Sequence, residues 1–231
     1  MGYFVYTAIM IEPRKHNAIS LVINNMLECL SDIWEIVVCV GDENEAYVNT
    51  IVKGLHSHRV RVVNIKLQNM DLNQYSQLMA TPSFYNHIPT EMFMIFQTDS
   101  IINRNNKHFI EEFLQYDYVG APWRDGYVGN GGISIRRKSK MLEILKKIPY
   151  KYGIYEDKYF SLSHFESCPV SIYKPTYEHA QKFSVETVFC PDFFAVHKPW
   201  LYVKPKELEL MVNACPGLRE LMDCQSVANN D

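Results

Sequence analysis

The chain has 231 residues, of which 47% are hydrophobic and 21% charged, and a formal net charge of -3. That length and apolar content supply one sizeable core and exclude a largely disordered chain. The mildly acidic balance excludes a protein whose main task is coating nucleic acid, while a local basic patch stays compatible with a phosphate ligand.

From Tyr3 to Ile11 the residues are β-branched and aromatic, predicting a buried first strand that Pro13 and the polar run to Asn17 end. No cationic segment precedes this apolar run, so it reads as a strand and not as a secretory leader. Ala18, Ile19, Val22, Ile23, Met26, Leu27 and Leu30 then recur at helical spacing. Ile33 to Val40 is a second strand, Glu45 to Leu55 a second helix and Val60 to Leu67 a third strand. Such β-α-β-α-β order predicts parallel strands joined by crossover helices.

The pattern loosens from Met70 to Thr90. Met92 to Phe96 is then uninterruptedly apolar, as for a strand buried on both faces, and it stops at Gln97-Thr98-Asp99-Ser100. Further on come a helix around His108 to Gln115, a short strand at Tyr118 to Gly120, a glycine-rich loop over 126–132 and a strand at Ile133 to Arg136. A helix at Ser139 to Lys147, another beginning near Glu156 and a last strand from Phe193 to His197 follow. A helical tail after Lys204 should fray at Asn229, Asn230 and Asp231. The expectation is one domain over 1–231, with a core of about 3–203 and a tail of 204–231. No stretch approaches the roughly 18–20 apolar residues of a bilayer span, so a soluble, cytoplasmic protein is expected. The six cysteines stand singly, which fits reduced thiols better than a disulfide framework or a zinc site.

Four places carry chemistry. Asp99 follows an apolar strand, and ligands of open α/β sheets bind outside the carboxyl ends of the strands. There it either ligates a hard divalent cation or caps the next turn or helix. Gly129, Gly131 and Gly132 flank Asn130, leaving the backbone free to take positive φ and to approach a ligand, or to make a tight hairpin. Glu156-Asp157 opens a helix and serves either the macrodipole or general-base chemistry. His197 ends the last strand, as a metal ligand or as a structural histidine, and Lys198 beside it can meet a phosphate.

Ile11-Glu-Pro-Arg14, Phe96-Gln-Thr-Asp-Ser100, Tyr116-Asp-Tyr-Val-Gly-Ala-Pro-Trp123, Gly129-Asn-Gly-Gly132 with Ser134 and Arg136, Glu156-Asp157 and Phe183-Ser-Val-Glu186 occur in that order. Together they resemble an uncharacterised glycosyltransferase-like domain family of bacteria and large DNA viruses, over nearly the whole chain. The resemblance implies a GT-A-like α/β fold, with a mostly parallel central sheet in a Rossmann-like N-terminal half and flanking helices. It implies that Gln97-Thr98-Asp99 stands where that fold carries D-x-D, with Gln97 replacing the first acid and Asp99 binding metal. By the same likeness Asp157, with Glu156 beside it, supplies the base, and His197 completes the metal site. Glu12 and Arg14 are implied near the nucleotide, and Gly131 and Gly132 near the donor sugar or acceptor. The activity implied is transfer of a sugar from a nucleoside diphosphate sugar to a hydroxyl of a glycan, protein or other acceptor, with inversion and with Mn²⁺ or Mg²⁺. A catalytically silent nucleotide- or glycan-binding module and a nucleotidyltransferase are the alternatives. A viral origin would put the protein in the host cytoplasm.

Overall fold

The computed structural model describes residues 3–163, 165 and 167–228. The fraying expected of Asn229, Asn230 and Asp231 lies outside the described residues. Four strands, β1 (Tyr6–Ile11), β2 (Trp34–Val40), β3 (Val60–Asn64) and β4 (Met92–Phe96), run parallel. β5 (Ser100–Ile102) belongs to a second sheet, whereas β6 (Tyr118–Gly120) and β7 (Ile133–Arg137) extend the first with antiparallel pairings. The main sheet has the order β3-β2-β1-β4-β7-β6. It is the mostly parallel α/β arrangement that the alternating periodicities predict.

All five residues of β4 are buried because both faces of the sheet are covered. Alternate side chains therefore feed two cores: Ala8, Met10, Met94 and Phe96 on one side, Ile9, Phe93 and Ile95 on the other. Helices α1 (Ile19–Cys29) and α2 (Glu45–Leu55) cover the first face. The second is covered by α3 (Leu72–Met79), α5 (Lys138–Lys147) and α6 (Glu156–Ser161), while the short α4 (Ile110–Phe113) leads into β6.

After α7 (Tyr177–Phe183) come β8 (Ser184–Val185) and β9 (Ala195–His197), which complete a three-stranded sheet of order β5-β9-β8. The tail forms α8 (Pro205–Ala214) and α9 (Leu218–Ala228). Met211, Cys215, Leu218 and Leu221 are buried in the first core, so these helices close that face.

Several elements differ from expectation. α3 lies in the stretch that looked irregular. Its signal is a capping box in which Asp71 accepts from the Asn73 and Gln74 backbones while the Gln74 side chain accepts from the Asp71 backbone. β5 and β8, of three and two residues, carry no periodicity of their own and exist through β9. The six cysteines are free, and burial pushes Cys39 and Cys215 up to about 12. Among the described residues no helix is long and apolar enough to cross a membrane.

Candidate active site

The chain turns at once after Phe96. Ser100 donates from its backbone (3.1 Å) and from its hydroxyl (2.9 Å) to the Gln97 carbonyl, and the Gln97 backbone donates to the Ser100 hydroxyl (2.9 Å). This four-residue turn presents Thr98 and Asp99 at its tip. The Lys198 backbone donates to the Asp99 carbonyl (2.9 Å), and Gln225 of α9 donates to the Thr98 carbonyl (2.7 Å). Asp99 caps no helix, because a strand follows it.

β5 and β9 are antiparallel with Ser100 opposite His197, which carries the imidazole to the Asp99 turn. His197 is buried, and its Nδ1 lies 3.0 Å from Asn130 Oδ1 and 3.1 Å from Glu186 Oε1. Asn130 Oδ1 also accepts from the Gly132 backbone (3.1 Å), so it faces His197 as an acceptor and Nδ1 carries a hydrogen. Nε2 then faces Asp99 Oδ1 at 3.2 Å. Both of these buried atoms lack a properly directed hydrogen bond. Burial opposes charge on both residues, but their mutual attraction outweighs it, moving His197 up to about 9 and Asp99 down to about 2.

These two orphaned atoms fit a divalent cation. At about 2.1 Å per bond, adjacent ligands of an octahedral ion stand about 3 Å apart, close to the spacing of Nε2 and Oδ1. Glu186 behind Nδ1 stands where an outer carboxylate would orient the histidine if Nε2 held an ion. No group of three or more His, Cys, Asp or Glu among the described residues is disposed to hold a metal. Two protein ligands fit an ion whose remaining positions are filled by phosphate and water.

Within the glycine loop Gly126 takes a positive φ of 91°, whereas Gly131 and Gly132 have a different physical basis. Gly131 and Gly132 do not take positive φ. They sit in the long β6–β7 connection, not in a tight hairpin. A Cβ on Gly132 would stand 2.1 Å from the His197 ring, and one on Gly131 would stand 2.3 Å from Glu156 Oε1. The glycines are needed for room: the loop lies flat against the residues that build the site.

Glu156 and Asp157 part company. Glu156 is buried in a two-pronged pair with Arg136, at 2.5 and 3.0 Å. Arg136, wholly buried, also stands over the Tyr118 ring at 4.9 Å. Both Glu156 carboxylate oxygens are thus engaged by Arg136. Asp157 remains half-buried at the hollow, where burial and the Glu156 charge push it up to about 6.

Apart from Gly129, every site residue picked out from the sequence lines one of two adjoining hollows, which meet at Leu72, Tyr75, Gln97, Tyr155 and Lys198. One of about 630 Å³ is lined by Glu12, Arg14, Asp71, Asn73 and Asp99. Arg14 grips the buried Glu12 with two bonds of 2.8 Å, and Asn44 donates to the carbonyls of both, so this corner is rigid. The other, of about 340 Å³, is lined by Gly131, Gly132, Asp157, Glu186, His197 and Trp123. Lys198 borders both, with φ of 36° in the left-handed region, and its ammonium favours the Asp99 carboxylate. Such backbone strain in a non-glycine residue is typical of functional sites.

Asn130, Glu186 and Arg136 stand in the motifs that carry the resemblance, but the sequence assigns them no role in the site. Only Arg136 carries a local signal: it shares an alternating face with Ser134 in an apolar strand, and a charge so placed requires a partner.

Residues 59–199 match the family described as "Protein of unknown function (DUF5672)". The chain belongs to this family. The match takes in the Asp99 turn, the glycine loop, Glu156-Asp157 and His197. No curated protein matches the chain.

Among solved structures, the apo-form glycosyltransferase GlyE of Streptococcus pneumoniae TIGR4 is similar with a TM-score of 0.57 at 10% identity, over 95% of this chain and 62% of that one. Mannosyltransferase PcManGT from Pyrobaculum calidifontis, in complex with GDP-Man and Mn²⁺, has a TM-score of 0.47 at 13% identity, over 70% of this chain and 51% of its own. Staphylococcus aureus TarS 1-349, in complex with UDP-GlcNAc, has 0.46 at 14%, over 80% and 62%. The chain thus spans between 51% and 62% of these proteins. The likeness to GlyE shows a shared glycosyltransferase fold of the GT-A kind.

Proposed function

We propose that the protein is a glycosyltransferase that moves a sugar from a nucleoside diphosphate sugar to a hydroxyl acceptor, with inversion. The observation that carries this reading is the pair of orphaned atoms, Asp99 Oδ1 and His197 Nε2, at the junction of a polar hollow and one containing Asp157. Asp99 and His197 would hold a divalent cation, Mn²⁺ or Mg²⁺, which when bound neutralises charge on the diphosphate. The nucleotide occupies the larger hollow beside Glu12 and Arg14. Gln97, which carries no charge, hydrogen-bonds the ribose, and Lys198 meets the phosphates.

Asp157 accepts the proton of the acceptor hydroxyl as that oxygen bonds to the anomeric carbon. The bond from that carbon to the phosphate oxygen breaks, and the electron pair leaves with the nucleoside diphosphate. A carboxylate raised to about 6 stays ionised at neutral pH while being a stronger base than an ordinary one. Arg136 and Glu156 position it from behind.

A thermal-shift screen of nucleoside diphosphate sugars with and without Mn²⁺ tests the reading, since a ligand of the native state raises the melting temperature. Stabilisation by one donor, enhanced by the ion, is expected. If no donor stabilises the protein, the reading fails.

A further inference from the structure

The smaller hollow does not end at Asp157. A third, of about 370 Å³, lies against it and shares Trp123, Lys158 and Thr187 with it, reaching outward to Arg124 and Asp125. We propose that this continuous groove is the acceptor site and that its occupant is an oligosaccharide, with one sugar beside Asp157 and at least one more beyond Trp123. The inference rests on the reading of Asp157 as the base.

The groove has the chemistry of a saccharide site. Trp123 stands at its centre, and Tyr155 and Tyr202, 46% and 41% exposed, stand at the smaller hollow. An aromatic face is electron-rich and attracts the C–H hydrogens on the flat face of a pyranose, while phenol groups supply hydrogen bonds at the rim. Lys158, exposed and without an ion pair among the described residues, adds a further donor.

The platform is also held in place before any ligand arrives. Arg124 donates to the carbonyls of Thr187 (3.1 Å) and Tyr202 (2.7 Å), tying the Trp123 loop to both opposite walls. The Trp123 backbone donates to the Tyr127 carbonyl (2.8 Å), and the Tyr177 hydroxyl donates to the Trp123 carbonyl (3.2 Å). A loop held in this way loses little backbone entropy on binding.

A peptide acceptor fits less well. Extended peptides gain affinity by adding a strand to a free sheet edge. The lining comes from loops and helices, and its one strand residue, His197, lies in β9, paired on both sides by β5 and β8. With no edge to pair with, the groove recognises its ligand through rings and side-chain donors.

The test is an array of neutral and acidic oligosaccharides, alongside an array of hydroxyl-bearing peptides, probed with the full chain, Trp123→Ala and Tyr202→Ser. Donor binding is measured separately by thermal shift with nucleoside diphosphate sugars. The expected result is retention of an oligosaccharide by the unaltered chain, weakened at least about tenfold by either substitution. Donor binding should not change. Binding that grows on lengthening the saccharide from one sugar to two also supports the extended groove. Retention of peptides alone, of no saccharide, or of saccharides equally by all three proteins overturns the inference. Loss of donor binding by every protein, with saccharide binding intact, would instead sink the transferase reading and leave the groove standing.

Discussion

Asp99 and His197 face each other across 3.2 Å because Ser100 lies directly opposite His197 in the β5–β9 pairing. The contact joins a turn after the fourth strand of the main sheet to a strand from near the end of the chain. Glu186 and Asn130 grip the far side of the ring, so the imidazole cannot turn its Nε2 away.

From this arrangement, Mn²⁺ should bind weakly by itself and much more tightly with a nucleoside diphosphate present. Two protein ligands leave most of the coordination shell to phosphate and water. Titration of Mn²⁺ followed by electron paramagnetic resonance, with and without UDP or GDP, measures the difference. Asp99→Asn should abolish the nucleotide-enhanced binding while leaving far-ultraviolet circular dichroism unchanged. Equal affinity with and without nucleotide would contradict the two-ligand site.

The transfer rate should rise with pH through about 6 and then level off. Burial and the Glu156 charge favour protonated Asp157, so below that value it cannot accept a proton, and above it the carboxylate is free to do so. Asp157→Asn should lower turnover by about 10²–10⁴-fold and remove this limb. The same shift carries a stability sign. An acid whose pKa is raised by folding weakens the fold once ionised, so Asp157→Asn should melt higher than the parent at pH 8. The advantage should begin to shrink as pH falls below about 6 and vanish near the ordinary carboxylate value of 3.8, as read by calorimetry across that range.

Arg136→Met should destabilise the protein by about 3–5 kcal/mol, because it strands the Glu156 carboxylate in a buried site. Replacing both residues, as in Arg136→Met with Glu156→Leu, should recover most of that loss. Urea denaturation of the two variants decides the matter. A double variant no more stable than the single one would show that the pair stabilises the fold by more than charge compensation.

Gly132→Ala should act on His197 although the glycine has no side chain to contribute. The added methyl would meet the ring at 2.1 Å, so the ring or the loop must move, at a cost of about 1–3 kcal/mol. The His197 ring resonances in an NMR spectrum should shift, and the nucleotide-enhanced Mn²⁺ affinity should fall. Unshifted resonances would place the loop farther from the ring than described here.

By itself, the sequence determined the alternation of strand and helix through β4 and the position of Asp99 at the end of an apolar strand. It also marked the acids that open α6 and the histidine that ends β9. Those are local properties: side-chain period, turn composition and chain order reveal them without any knowledge of distant partners. Only the tertiary structure decided that Glu156 serves Arg136 while Asp157 stays open, that Glu186 and Asn130 orient His197, and that α8 and α9 close the core. It also decided why Gly131 and Gly132 are glycines, which is room for Glu156 and His197 and not backbone freedom. Each of these depends on contacts between segments far apart in the chain. Strands as short as β5 and β8 leave no period to read, and an ion pair or a steric clearance has no sequence signal until both partners are in place.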